Sequence, residues 1–145
     1  MLSPKGFTLL EVLLSIGLIT VLAGLSLPVY QALQNRNDLD ITAVTVAQTL
    51  RRAQLLSQAM DGDTSWGISI QTGSITLFRG TSYAARDTSF DEVFDVPTSI
   101  TQSGVGEVVF AKFTGMPQTT GTITLTSSTN EVRNLILNAK GTITY

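Results

Sequence analysis

The chain has 145 residues, the size of one domain, and is slightly acidic, with nine Lys plus Arg against eleven Asp plus Glu. That balance lacks the basic excess of a strong nucleic-acid binder. With no cysteine and no histidine, thiol nucleophiles, disulfides, Cys/His zinc sites and histidine general bases are all excluded.

Residues 1–6 are short and carry Lys5, which the positive-inside rule keeps on the cytoplasmic side. From Phe7 to Leu27 the only charge is Glu11. As a helix this run covers about 32 Å, which matches a hydrocarbon core of roughly 30 Å. An ionised carboxylate inside such a run costs about 2.5–3.5 kcal/mol on insertion scales, so Glu11 needs a partner or a proton. The next basic residue is Arg36, about 37 Å further along a helix. An α-amino group is the remaining candidate: a cut after Gly6 would place a new amine on Phe7, about one helical turn from Glu11. A conventional secretory signal, with a cut near Ala23-Gly24, or a plain membrane anchor explains the apolar length but not Glu11.

The residues Lys5-Gly6-Phe7-Thr8-Leu9-Leu10-Glu11-Val12 resemble the class III signal of type IV pilins and type II secretion pseudopilins. The resemblance implies that prepilin peptidase cuts after Gly6 and methylates the amine of Phe7, giving N-methylphenylalanine. It also implies that Glu11 pairs with the N-terminal amine of an adjacent subunit during filament assembly. Loss of Lys5 with the leader leaves eight basic against eleven acidic residues, a charge of −3.

Gly17, Gly24 and Pro28 interrupt the apolar helix. Pro28 removes a backbone hydrogen bond and crowds the preceding turn, so a kink is expected there; by the resemblance, this is where pilin helices loosen. Beyond Gln31 the composition turns polar while Leu39, Ala43, Val46, Leu50, Ala53, Ser57 and Met60 keep a helical spacing. This predicts an amphipathic helix over 31–62 with its stripe on a sheet, Arg51-Arg52 on a solvated edge, and Asp61-Gly62-Asp63 as its end.

Past residue 63 alternation replaces the helical period. Trp66 to Ile70 and Ser74 to Arg79 read as a hairpin turning at Gln71-Thr72-Gly73, and Thr81 to Asp91 as a polar loop. A short strand is expected at Glu92 to Val96, and a longer one at Val105 to Thr114 with Val109 and Phe110 in the core. Three strands follow, at Thr122 to Thr126, Val132 to Leu137 and Thr142 to Tyr145, separated by polar turns. The expected fold is therefore α+β and pilin-like. It has a leader (1–6), a transmembrane and assembly helix (7–30), an amphipathic helix (31–62) and an antiparallel β domain (63–145) built as a meander. The positions of Trp66-Gly67, Gly121-Thr122-Ile123 and Gly141-Thr142-Ile143 are similar to those in H-type minor pseudopilins and FimT-type minor pilins.

Carboxylates cluster at Asp87, Asp91, Glu92 and Asp95 and at Asp61 and Asp63, but without calcium-loop spacing. No metal or other cofactor is expected. Ser15 and Ser26 lie in the apolar run and no nucleophile elbow or phosphate loop is present, so no catalytic site is expected. Some FimT-type minor pilins bind DNA through basic residues near the C-terminus; here only Arg133 and Lys140 lie in that region, and nucleic acid is not an expected partner.

The sequence thus points to a structural subunit, more in keeping with a minor one, of a type IV pilus or type II secretion pseudopilus. Its expected partners are prepilin peptidase, other pilin or pseudopilin subunits, an inner-membrane assembly platform and, before assembly, membrane lipid. Its expected location is a single pass of the inner membrane with the β domain periplasmic or extracellular, then the filament. The competing reading is a bitopic protein with an uncleaved anchor whose β domain binds a ligand or partner, including a DNA-binding minor pilin.

Overall fold

The computed structural model describes residues 6–145, the side chains of residues 25–29 excepted. Residues 1–5 of the leader expected over 1–6, and the side chain of Pro28 with the kink expected there, lie outside the described residues. The chain divides into two compact units, Met1–Gln34 and Asn35–Tyr145, and one helix, α1 (Leu9–Gln58), contributes to both.

In the first unit every described side chain of α1 between Leu9 and Gly24 is exposed, among them Leu10, Leu14 and Leu18. Ser15 and Thr20 turn their hydroxyls back onto the carbonyls of Glu11 and Ile16, each at 2.8 Å, so these polar side chains are satisfied inside the helix. Among the described residues no helix is long and apolar enough to cross a membrane. The expected transmembrane span over 7–30 is therefore not seen in these residues.

In the second unit the expected stripe is buried: Leu39, Ala43, Val46, Leu50, Ala53 and Ser57 all face the interior. Met60 departs from it, being 43% exposed. The helix stops at Gln58, and Met60 itself takes the left-handed conformation (φ 54°) that leads into a 3-10 turn, Asp61–Asp63. Thr42 and Thr49 are also buried, and each donates to the carbonyl four residues back at 2.7 Å, which removes the cost of an unsatisfied hydroxyl.

Eight strands follow: β1 (Trp66–Gln71), β2 (Ser74–Arg79), β3 (Asp87–Asp95), β4 (Ile100–Gly104), β5 (Glu107–Phe110), β6 (Gly121–Ser127), β7 (Val132–Leu137) and β8 (Ile143–Thr144). The β1–β2 hairpin turns where expected, with Gln71 opposite Ser74. The single expected meander is instead two four-stranded antiparallel sheets, ordered β3-β2-β1-β5 and β4-β6-β7-β8. The inner faces of both sheets and the stripe of α1 share one core, with Ile68, Leu77 and Phe110 from one sheet and Ile123, Leu125 and Leu135 from the other. The α+β, pilin-like arrangement of an N-terminal helix on antiparallel sheets is as the pattern predicts.

Three local differences have physical causes. The strand expected to start at Glu92 starts at Asp87, its acids having masked the alternation. The strand expected over 105–114 keeps only Glu107–Phe110, because Phe113 takes a left-handed φ of 73° in a tight turn closed by Gly115 N–H on the Ala111 carbonyl. Strand β4 carries a single buried apolar residue, Ile100, and is held by its register against β6. At Gly67 a Cβ would stand 2.8 Å from the Val108 carbonyl oxygen and 2.7 Å from Phe78 Cζ, so β1 approaches its neighbours as only glycine allows.

Ser57 joins the end of α1 to the first sheet. Its buried Oγ accepts the Trp66 N–H at 2.9 Å and donates to the Phe110 carbonyl at 3.1 Å, while its own carbonyl accepts the Phe113 N–H. Ser57→Ala leaves a buried N–H without that acceptor and is expected to lower stability by about 1–3 kcal/mol. Urea unfolding monitored at Trp66 measures this, and an unchanged midpoint would refute the role given to the hydroxyl.

Candidate functional site

The segment around Gly6 is built by the start of α1. Residues 6–8 precede the helix, and Thr8 is its cap: the Thr8 carbonyl accepts the N–H groups of Glu11 and Val12 at 3.1 and 3.2 Å, and Thr8 Oγ1 accepts Glu11 N–H at 3.3 Å. Glu11 lies in the first turn, where the unpaired N–H groups and the helix dipole favour a negative charge. Hydropathy reasoning alone misses Thr8, although the spacing Thr8-x-x-Glu11 is that of a capping box. Two demands thus meet on one residue: a helix start that suits an acid, and an apolar run that tolerates it only when its charge is answered.

Gly6 has open space around it, and a Cβ at this position would meet nothing within 4 Å. Phe7 is 82% exposed, and the side chain of Glu11 is exposed too. Among the described residues Glu11 has no ion-pair partner. Gly6, Phe7 and Glu11 therefore stand together at one accessible end of an apolar helix, Phe7 just ahead of the cap rather than inside the helix.

The acidic clusters are dispersed into separate contacts. Glu92 accepts a forked pair of bonds from Arg52, both 2.6 Å, and Asp91 accepts from Arg86 Nε at 2.8 Å. Asp63 pairs with Lys112, which holds its carboxyl below the usual carboxylate range through the hydrogen bond and the ammonium charge. Arg86 is held above its ordinary value first by its hydrogen bond to Asp91. Asp87 accepts the Ser89 N–H. Among the described residues no three carboxylates come together in a way that could hold a metal ion. Arg51 is exposed and Arg52 bridges to β3, so the two neighbours differ in role.

The two C-terminal basic residues are also placed by local contacts. Arg133 Nε donates to Asp40 on α1 at 2.8 Å, and Lys140 sits in the turn after β7, where its N–H donates to Asn138 Oδ1. The Lys140 carbonyl accepts from Gln54 of α1 at 3.0 Å.

Residues 1–27 match the family described as the prokaryotic N-terminal methylation motif. No curated protein and no solved structure gives a match. The matched residues include Gly6, the Thr8 cap and the apolar run, and the match supports a type IV pilin-like protein, a pilin or pseudopilin subunit of the kind processed by prepilin peptidase and assembled with other such subunits.

Proposed function

We propose that the protein is a minor subunit of a type IV pilus or type II secretion pseudopilus, structural rather than enzymatic. The observation that carries this reading is the methylation motif over residues 1–27, lying on a capped apolar helix with Gly6, Phe7 and Glu11 accessible at its end. The precursor enters the inner membrane through the helix of residues 7–30, with the β domain of 63–145 outside and the amphipathic part, 31–62, joining the two. Prepilin peptidase cuts after Gly6 and the amine of Phe7 is methylated. The assembly platform then extracts the subunit from lipid into a bundle of like helices. In that bundle the Glu11 carboxylate meets the terminal amine of a neighbour, which sets the axial register, since a charge in an apolar bundle is tolerated where it is paired. Pro28 is the point at which the helix gives way to let the bundle pack.

Mass spectrometry of the mature protein tests the first step. The expected N-terminus is methylated Phe7, whereas an intact Met1 would favour the uncleaved, bitopic reading. Gly6→Trp is expected to abolish cleavage and leave precursor in the membrane. Because the space around Gly6 is open, the bulky side chain acts on recognition by the peptidase and not on folding. Processing of this variant at the normal rate would refute the assignment of the cut.

A further inference from the structure

We propose that the outer edge of β3, with the groove between it and α1, docks an extended basic segment of a partner protein; the proposal does not depend on how the N-terminus is processed. Strand β3 is the edge of its sheet, runs for nine residues and pairs only with β2. Val96 N–H donates to the Gly73 carbonyl, and the register continues with Phe94 opposite Ile75 and Glu92 opposite Leu77. In an antiparallel ladder the bonded pairs alternate, so over the regular register, which ends at Glu92 before a bulge, the backbone N–H and C=O of Val93 and Asp95 point away from β2. These outward groups are what an added strand would engage.

The groove lies alongside. A cavity of about 340 Å³ is lined by Leu56, Trp66, Phe90, Asp61, Asp91 and Glu92. A smaller one of about 170 Å³ lies further along α1, between Thr45, Gln48 and Thr49 and the ring of Phe94. Arg52 lines both and bridges to Glu92. Phe90 and Val93 are 44% and 58% exposed, apolar surface on a strand edge that a partner would cover.

Charge selects the occupant. Asp87, Asp91, Glu92 and Asp95 lie within β3 with no basic residue in the strand. Only Asp91 and Glu92 are in ion pairs among the described residues, and Asp91 Oδ1 is buried with no hydrogen-bond partner. Edge-to-edge pairing of two copies would set acid against acid, which acts against a second copy of this strand. A strand bearing lysine or arginine meets the opposite sign and gains both the ladder and the charges.

The test titrates the full chain in detergent with a short peptide of alternating valine and lysine, reading the emission of Trp66, the sole tryptophan, which lines the groove. A saturable change is expected, and none with the same peptide carrying glutamate for lysine. Val93→Pro removes one outward N–H while leaving the bonds to β2, as proline on an edge strand can. Asp87→Asn with Asp95→Asn removes charge at exposed positions without touching an ion pair. Each variant is expected to weaken binding by about tenfold. Equal responses to the two peptides would overturn the proposal, as would lysine-peptide binding indifferent to Val93→Pro, which would indicate charge alone. Absence of peptide binding together with self-association lost in Val93→Pro would assign the edge to a second copy and overturn it too.

Discussion

Glu11→Ala is expected to leave membrane insertion and the cut after Gly6 intact and to reduce incorporation into filaments by more than about a hundredfold. The size follows from what is left behind: removing one member of a buried ion pair strands the other, at a cost of about 3–5 kcal/mol. In the assembled bundle the stranded group would be the terminal amine of a neighbour. The helix start complicates the reading, because Glu11 lies in the first turn of α1 at capping-box spacing from Thr8. Glu11→Gln separates the roles. Glutamine serves in a capping box but carries no charge, so it should behave as alanine does if the amine is the partner. Near-normal incorporation of Glu11→Gln, counted as subunits per purified filament, would show that the acid serves the helix start and that register is set elsewhere.

Phe110→Ala is expected to destabilise the β domain by about 3–5 kcal/mol, a large part of the 5–15 kcal/mol typical of a whole domain. Phe110 is fully buried, sits opposite Trp66 in the β1–β5 pairing and forms an isolated bridge with Pro117. Its carbonyl accepts the Ser57 hydroxyl at the end of α1. Truncation therefore opens a cavity where α1, β1 and β5 meet. Urea unfolding of the full chain in detergent, followed at Trp66, should show the midpoint falling sharply. A loss below about 1 kcal/mol would mean that the site collapses around the gap.

Elements whose signal is local were legible in the sequence. The stripe from Leu39 to Ser57 repeats at the helical period because one face must be dry, and the Thr72-Gly73 turn follows from the alternating runs on either side. The division into two sheets was not legible, since β1 pairs with β5 across β2, β3 and β4 in sequence, and alternation names a strand's faces without naming its neighbour. Strand β4 has one buried apolar side chain and so no pattern to read. At the candidate site, the spacing from Lys5 to Val12 carried the methylation motif and Thr8-x-x-Glu11 carried the cap. The partner expected for Glu11 is another molecule, which no single chain displays.

The two ion pairs between α1 and the sheets have opposite polarity. The helix supplies the acid at Asp40, meeting Arg133, and the base at Arg52, meeting Glu92. The two helix residues lie about 18 Å apart along the axis. Each contact is exposed and contributes little alone, but a helix docked end-for-end would bring acid to acid and base to base. The arrangement works as a polarity key that penalises the inverted docking of α1 more than it strengthens the correct one. Exchanging the charges within both pairs at once should therefore keep the fidelity of docking, whereas exchanging Asp40 with Arg133 alone keeps both native contacts but leaves the inverted docking unpenalised.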